Sequence, residues 1–299
     1  MNNINGFLLE VVNAKQRLSP SVISEWFDIK STQKKFEGFK ELEFLEHPSL
    51  KESLIQEMSF KSLTEYYASK AILDIIKIAP SMEEYDFLNT LLIDETNHSF
   101  LFRNYLIENN LIDSKRSMEQ MASILSDTHM DVVEPFQAFI KQWVVNKNDF
   151  YAGIIIITII LEGVLAPSAE LSEKKWLPFY PRASAIQKYA NSDEVRHLTL
   201  CCDILKKAIK NNANTLHTLK SCIVEGLGIW NTSNINNIIM NREILFQKGM
   251  NDNINLLENY YLTKDVMLKD TTPDSRLKIS HEMVEALQKS RLRDIGIDL

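Results

Sequence analysis

Glycine and proline are scarce in this sequence, which holds only eight of each among 299 residues. No glycine occurs between Gly38 and Gly153. Because both residue types mark turns, their scarcity favours long helices over many short strands. Alternating runs of valine, isoleucine and threonine, which are typical of strands, are also few. The sequence therefore predicts an all-α fold, and we find no linker that would divide residues 1–299 into more than a single domain.

Cysteine is also rare, and the sequence has no evident cluster of basic residues. The three cysteines, Cys201, Cys202 and Cys222, have no CxxC spacing, which favours free thiols in a reducing cytoplasm. The formal net charge is −7 and no lysine or arginine cluster stands out, so a nucleic-acid substrate is disfavoured. The first residues, MNNINGFLLEVVNAKQRL, lack the basic and apolar regions of a secretion signal. We therefore expect a cytoplasmic protein that does not enter a membrane.

The longest apolar run, AGIIIITIILEGVLA at Ala152–Ala166, is short for a membrane span and contains Glu162. A helix that is apolar on all sides and buried at the centre of a bundle explains this run better. Pro167 follows closely, so we expect the helix to be disturbed near Glu162.

Helical periodicity predicts a core bundle at about 50–211 and a C-terminal extension at about 214–299. One or two short helices are expected in the first 50 residues, and two or three in the extension, the last near 275–294. The four core helices are expected at 50–79, 82–111, 147–170 and 182–211. A crossing segment is expected at 116–145, with a bend or a break near Pro135.

Two copies of an Asp-Glu-x-x-His motif, DETNH at 94–98 and DEVRH at 193–197, fall on largely apolar helical stripes. In a helix, residues three apart share one face. Glu95 and His98 therefore point to the same place, as do Glu194 and His197. A carboxylate on an apolar stripe is costly to bury unless it is paired or binds a cation. The two motifs thus predict metal ligands.

A two-metal site in a helical bundle takes a further glutamate from each of two other helices. Glu65 and Glu162 are suitable, because each interrupts an apolar stripe, and they precede Glu95 and Glu194 by 30 and 32 residues. The 67 residues from Glu95 to Glu162 require a long crossover. The predicted metal ligands are Glu65, Glu95, His98, Glu162, Glu194 and His197.

The order Glu, ExxH, Glu, ExxH resembles the di-iron carboxylate superfamily over roughly residues 55–210. The resemblance implies a ferritin-like four-helix bundle with a long crossover, here with extra N- and C-terminal helices. The motif at 193–197 also matches the DExRH pattern of bacterial multicomponent monooxygenase hydroxylase subunits, whereas the first copy has Asn97 in place of arginine. In those proteins the aspartate hydrogen-bonds a ligand histidine. We carry that role to Asp94 and Asp193, each acting on the histidine of the other motif.

The resemblance implies a function as well. It indicates a non-haem di-iron oxygenase that binds two iron ions, or a manganese–iron pair, and uses dioxygen as co-substrate. The expected reaction is hydroxylation or N-oxygenation of a small molecule, such as an amine or amino acid, in secondary metabolism. Electrons would come from an external reductase or other donor, and a homodimer is compatible with the sequence. The carboxylates expected to take part in catalysis are Glu65, Glu95, Glu162 and Glu194.

Three alternatives stay open: an enzyme similar to tRNA hydroxylases, a radical-generating di-metal oxidase, and a non-catalytic ferroxidase or metal-binding protein. Arylamine N-oxygenases carry an additional histidine ligand one turn before the last motif, where this chain has Ala190. The sequence does not specify the substrate, the metal pair or the electron donor, nor whether the reaction is hydroxylation, N-oxygenation or desaturation.

Overall fold

The computed structural model describes residues 47–298, and these residues are helical almost throughout, which confirms the all-α fold. The short helices predicted in the first 50 residues lie outside the described residues. The long helices of the predicted core are α1 (Pro48–Ile76), α2 (Met82–Glu108), a composite third helix (α6, Phe150–Ile155; π3, Ile156–Leu161; α7, Glu162–Trp176) and α8 (Pro181–Asn211).

The crossing segment is irregular around Pro135, with a π-helical turn on each side of the short helix that contains this proline. Its pieces are α3 (Ser117–Ile124), α4 (Ser126–Thr128), π1 (His129–Val133), α5 (Glu134–Ile140) and π2 (Lys141–Asn146). Pro135 follows π1 almost directly and lacks the N–H that would continue the hydrogen bonding of that turn. The segment joins the C-terminal end of α2 to the start of the third helix.

The helices α1 and α2 pack closely at mid-height, because small side chains face each other there. The hydroxyl of Ser62 donates to the Ser99 carbonyl at 2.9 Å, and that of Ser99 donates to the Ser62 carbonyl at 2.8 Å. At its N-terminus α2 is capped by Ser81, whose hydroxyl oxygen accepts from two backbone N–H groups of the first turn. This register places Glu65 and Glu95 at similar heights.

The third helix widens just before Glu162. Over π3 the backbone follows π-helical geometry, and the Glu162 N–H donates to the Ile157 carbonyl five residues earlier. The helix is thus disturbed near Glu162, as expected, but the irregularity lies upstream of Pro167, and α7 continues through that proline. Two carbonyls of π3 accept side-chain hydrogen bonds, Ile160 from Trp230 Nε1 at 2.6 Å and Ile159 from Gln288 Nε2 at 3.1 Å.

The stretch Phe150–Trp176 is long and apolar enough to cross a membrane by length and composition alone. However, 67% of its most apolar window is buried inside the protein. Ile154 and Ile159, for example, are fully inaccessible to solvent. The apolar run is therefore a core helix, as its sequence predicted.

The C-terminal extension packs against the core helices. Its helices are α9 (Ala213–Thr232), α10 (Ile235–Asp252) and α11 (Pro273–Asp294). An antiparallel pair of short strands, Tyr261–Thr263 and Val266–Met267, precedes α11 and was not predicted. The Ser53 hydroxyl on α1 donates to the Arg242 carbonyl on α10 at 3.1 Å, and the Ser168 and Ser280 hydroxyls join α7 to α11 at 3.0 Å. The extension therefore forms one wall of the region described next.

Candidate metal centre

The structure brings together all six predicted ligand residues from the four long helical segments. They fall into two groups that could each hold a metal ion, and within each group the ligand atoms lie within 4.8 Å of one another. Glu95 and Glu194 belong to both groups. The first group is completed by Glu65 and His98, and the second by Glu162 and His197.

The shared glutamates lie between the two imidazole rings. His98 Nδ1 is 3.6 Å from Glu95 Oε2 and 3.9 Å from Glu194 Oε1. His197 Nδ1 is 3.0 Å from Glu95 Oε1 and 3.5 Å from Glu194 Oε2. Glu162 Oε1 lies 3.8 Å from His197 Nδ1. Glu95 and Glu194 thus stand where bridging ligands would stand, with Glu65 and Glu162 in terminal positions.

The other nitrogen of each imidazole faces the aspartate of the opposite motif. His98 Nε2 is 3.2 Å from Asp193 Oδ2, and His197 Nε2 is 3.1 Å from Asp94 Oδ2. Arg196 also contacts the Asp193 carboxylate. An aspartate that accepts the proton carried on Nε2 leaves Nδ1, which faces the glutamates, available to bind a cation. In the first motif, Asn97 stands where arginine was expected and donates instead to Tyr189 Oη at 3.3 Å.

Burial and mutual contacts shift the pKa values of the carboxylates and imidazoles in the cluster. Burial and the neighbouring Glu95 raise the pKa of Glu65 well above its ordinary value, and burial and Glu194 do the same for Glu162. Burial opposes the ionisation of Glu95, but contacts with His197 and His98 hold its pKa well below the ordinary value. Burial also opposes protonation of His98, but Glu95 raises its pKa to about 9. Positive charge is therefore required within the cluster.

Several ligand atoms are buried and make no hydrogen bond within the described part of the chain. They are Glu95 Oε1, Glu162 Oε2, Glu194 Oε2 and His98 Nδ1. Buried polar atoms are ordinarily hydrogen-bonded, so four exceptions at one point require an explanation. Two divalent cations would satisfy all of them, and a donor set of carboxylates with imidazoles suits iron or manganese. The residues present therefore fit a two-metal site.

No protein-family model matches this chain, and no curated protein is detectably similar to it.

A cavity of about 170 Å³ adjoins the cluster and reaches its carboxylates. Glu65, Glu95, Glu162 and Glu194 all contribute to its wall. On one side of these glutamates the wall is apolar. Side chains on that side come from five different segments: Ile72, Phe136, Ile157, Leu161, Trp230 and Ile239.

On the other side the wall is charged, a feature that the sequence reading missed. Lys175 Nζ lies 2.9 Å from Glu57 Oε2 and 2.5 Å from Glu243 Oε1. Arg276 Nε lies 2.5 Å from Glu243 Oε2, whereas Arg242 Nε is 3.6 Å from Glu57 Oε2. All five side chains line the cavity. Because three of them lie on helices of the extension, no spacing within the core sequence predicts their meeting.

One local signal for the charged side was available on α1. Glu57, Lys61 and Glu65 follow each other at four-residue intervals, and this spacing places them on one helical face. Lys61 also lines the cavity, and burial lowers its pKa to about 8. The face that supplies a metal ligand at Glu65 thus continues into the charged wall.

Proposed function

We propose that this chain is a ferritin-like di-iron oxygenase that uses dioxygen to oxidise a small organic substrate. The proposal rests chiefly on the two overlapping ligand groups that share Glu95 and Glu194. Two glutamates common to both metals, with one imidazole and one further glutamate for each, are typical of di-metal carboxylate proteins built in helical bundles. The same donors also suit a manganese–iron pair.

Each part of the cluster has a distinct role in this proposal. His98 and Glu65 would hold one metal, His197 and Glu162 the other, and the shared carboxylates would hold both. When bound, a reduced metal pair supplies electrons for the activation of dioxygen, and an external donor restores them.

The surrounding residues control protonation and access to water. Asp94 and Asp193 keep the Nε2 protons of the two histidines in place, so that each ring presents Nδ1 to the cluster. The apolar wall, which includes Ile157 and Leu161, excludes water from the space beside Glu162. A substrate in the cavity would reach the carboxylates directly.

The cavity supports an enzyme over a non-catalytic ferroxidase or metal-binding protein. A protein that only oxidises or stores iron needs a path for ions, and a path of that kind is lined by polar groups. Here one half of the cavity is apolar, which is typical of a site for an organic ligand.

A single-turnover experiment tests the proposal. The full-length chain is loaded with two equivalents of ferrous iron without oxygen, mixed with ¹⁸O₂ and a panel of small amines, amino acids and carboxylic acids, and analysed by mass spectrometry. We expect a substrate-dependent product that gains ¹⁸O or loses two hydrogens. Glu162→Ala should form none, while Glu282→Ala, which changes a surface residue, should behave as the unmodified chain. Oxygen consumption that yields ferric iron and no organic product with any compound would support the ferroxidase alternative instead.

A further inference from the structure

The charged wall of the cavity carries more cations than carboxylates. Lys61, Lys175, Arg242 and Arg276 contribute four positive charges, whereas Glu57 and Glu243 contribute two negative ones. The di-metal cluster does not supply the missing anions, because two divalent cations would balance its four glutamates. Lys175 and Arg276 are buried, whereas Lys61 and Arg242 are half-buried. Charges shielded from solvent are normally paired, so two positive charges in this wall are left for a ligand.

The surplus can be assigned to particular side chains. Lys175 lies between Glu57 and Glu243, and Arg276 Nε pairs with Glu243. These contacts hold the extension against the core and use both carboxylates. Arg242 Nε, by contrast, is 3.6 Å from Glu57 Oε2, which is too far for a hydrogen bond, and this buried nitrogen makes none in the described part of the chain.

Lys61 is the second surplus cation. Its Nζ forms no ion pair with the described residues and lies 5.7 Å from the centre of the Phe102 ring. Arg242 lies in a similar environment, with its guanidinium carbon 5.8 Å from the centre of the Phe60 ring. Both aromatic side chains line the cavity with the cations. Neither ring replaces the hydrogen bonds that a carboxylate would make to an ammonium or guanidinium group.

Along both α1 and α10, the residues that line the cavity are cationic at one end and apolar at the other. On α1, Lys61 precedes Glu65, and the apolar Ala68 and Ile72 follow. On α10, the apolar Ile239 precedes Arg242. The metal-facing glutamates thus lie between a cationic end and an apolar end.

From this arrangement we infer that Lys61 and Arg242 bind the carboxylate of an amphipathic acid whose apolar body extends past the di-metal cluster. The inference rests on the proposed function and narrows its substrate class to aliphatic or aromatic carboxylic acids, amino acids included. Lys61 lies one helical turn, about 6 Å, from Glu65 along α1. The oxidised atom therefore belongs to the part of the substrate near its acid group.

Binding of a matched pair of probes tests the inference without any turnover. Octanoate and octanamide have the same chain and nearly the same shape, but only octanoate is charged. Their affinities are measured by titration calorimetry on the full-length chain, both metal-free and loaded anaerobically with ferrous iron. We expect octanoate to bind at least tenfold more tightly than octanamide in both forms, since hydrogen bonds to charged groups are the stronger ones.

Variants locate the charge that is responsible. Lys61→Met and Arg242→Met should each weaken octanoate binding roughly ten- to a hundredfold and leave octanamide unchanged. Lys61→Arg keeps the charge and should retain most of the affinity for octanoate. Retained binding would show that a substitution at this position does not unfold the site. Lys278→Met changes a surface lysine of α11 and should have no effect.

Two outcomes would overturn the inference. One is equal affinity for octanoate and octanamide. The other is octanoate binding that requires iron and is insensitive to Lys61 and Arg242, since the carboxylate would then be on the metals. These outcomes are independent of the proposed oxygenase function. If the chain bound no iron, the oxygenase proposal would fail, but the metal-free chain should still bind octanoate more tightly than octanamide.

Discussion

His98 Nε2 lies 3.2 Å from an oxygen of Asp193, a residue of the other motif on a different helix. The reciprocal contact joins His197 on α8 to Asp94 on α2 at 3.1 Å. Each of these helices therefore contributes a histidine to one group and an aspartate that anchors the histidine of the other. The crossed pairs hold α2 and α8 in one register and orient both imidazoles toward the shared glutamates.

Asp94→Asn and Asp193→Asn should each lower the affinity for ferrous iron by roughly ten- to a hundredfold, because an amide no longer accepts the Nε2 proton as strongly. The affinity can be measured without oxygen by competition with a chelator. Asp203→Asn is a control on the same helix as Asp193, since Asp203 pairs with Lys207 at 3.0 Å. Unchanged affinity in both test variants would show that the crossed contacts do not support the ligands.

A second prediction concerns the contact between α9 and the π-helical turn before Glu162. A Cβ added at Gly226 would lie 2.4 Å from Ile160 Cδ1, whereas one at Gly228 would meet nothing within 4 Å. Gly226→Ala should therefore destabilise the protein by about 1–3 kcal/mol through overpacking. Gly228→Ala should stabilise it by up to about 1 kcal/mol, because alanine favours helices.

Urea unfolding of both glycine variants gives the comparison directly. If Gly226→Ala is as stable as Gly228→Ala, α9 does not fix the position of the π-helical turn. Iron binding by Gly226→Ala can be measured alongside, since a displaced turn would move the Glu162 backbone.

A third prediction concerns acid stability. Burial opposes the ionisation of Glu243, but Lys175 and Arg276 hold its pKa at about 2, below the ordinary 4.5. A depressed pKa of this kind contributes stability that is fully present above pH 4.5 and is lost as the pH falls toward 2. Glu243→Gln should therefore cost on the order of 3 kcal/mol at pH 7, where it leaves buried cations unpaired.

The difference between Glu243→Gln and the unmodified chain should shrink as the pH is lowered, because the unmodified chain loses the same interaction by protonation. Urea unfolding at pH values between 7 and 3 measures this gap. A gap that stays constant or widens toward low pH would contradict the assigned ion pairs.

The sequence predicts the candidate metal centre because each proposed ligand can be recognised from its neighbours in the chain. A glutamate such as Glu162 within a run of isoleucines is costly to bury alone, and the three-residue spacing of Glu95 and His98 sets their common face. The lengths of the core helices follow from periodicity and from the scarcity of glycine and proline. Such features depend on neighbours in sequence and on the cost of burial, and both can be read from a single chain.

Other features depend on tertiary contacts and have no local sequence pattern from which they could be predicted. The π-helical turn over Ile156–Leu161 lies in a run where every residue except Thr158 is apolar, so a shift from four- to five-residue hydrogen bonding barely changes the pattern. The ion pairs of Glu57 and Glu243 join residues of α1, α7, α10 and α11 that are far apart in sequence. The disturbance expected near Glu162 lies upstream of Pro167, where the side chains of Trp230 and Gln288 donate to carbonyls of π3.

Counting the ferrous ions that the full-length chain binds without oxygen tests the two-metal centre most directly. Titration followed by metal analysis should give two ions per chain. Glu162→Ala, which removes a terminal ligand, and Glu194→Ala, which removes a shared one, should each fail to bind two. A stoichiometry of one or none in the unmodified chain, or of two in both variants, would contradict a centre formed by these six residues.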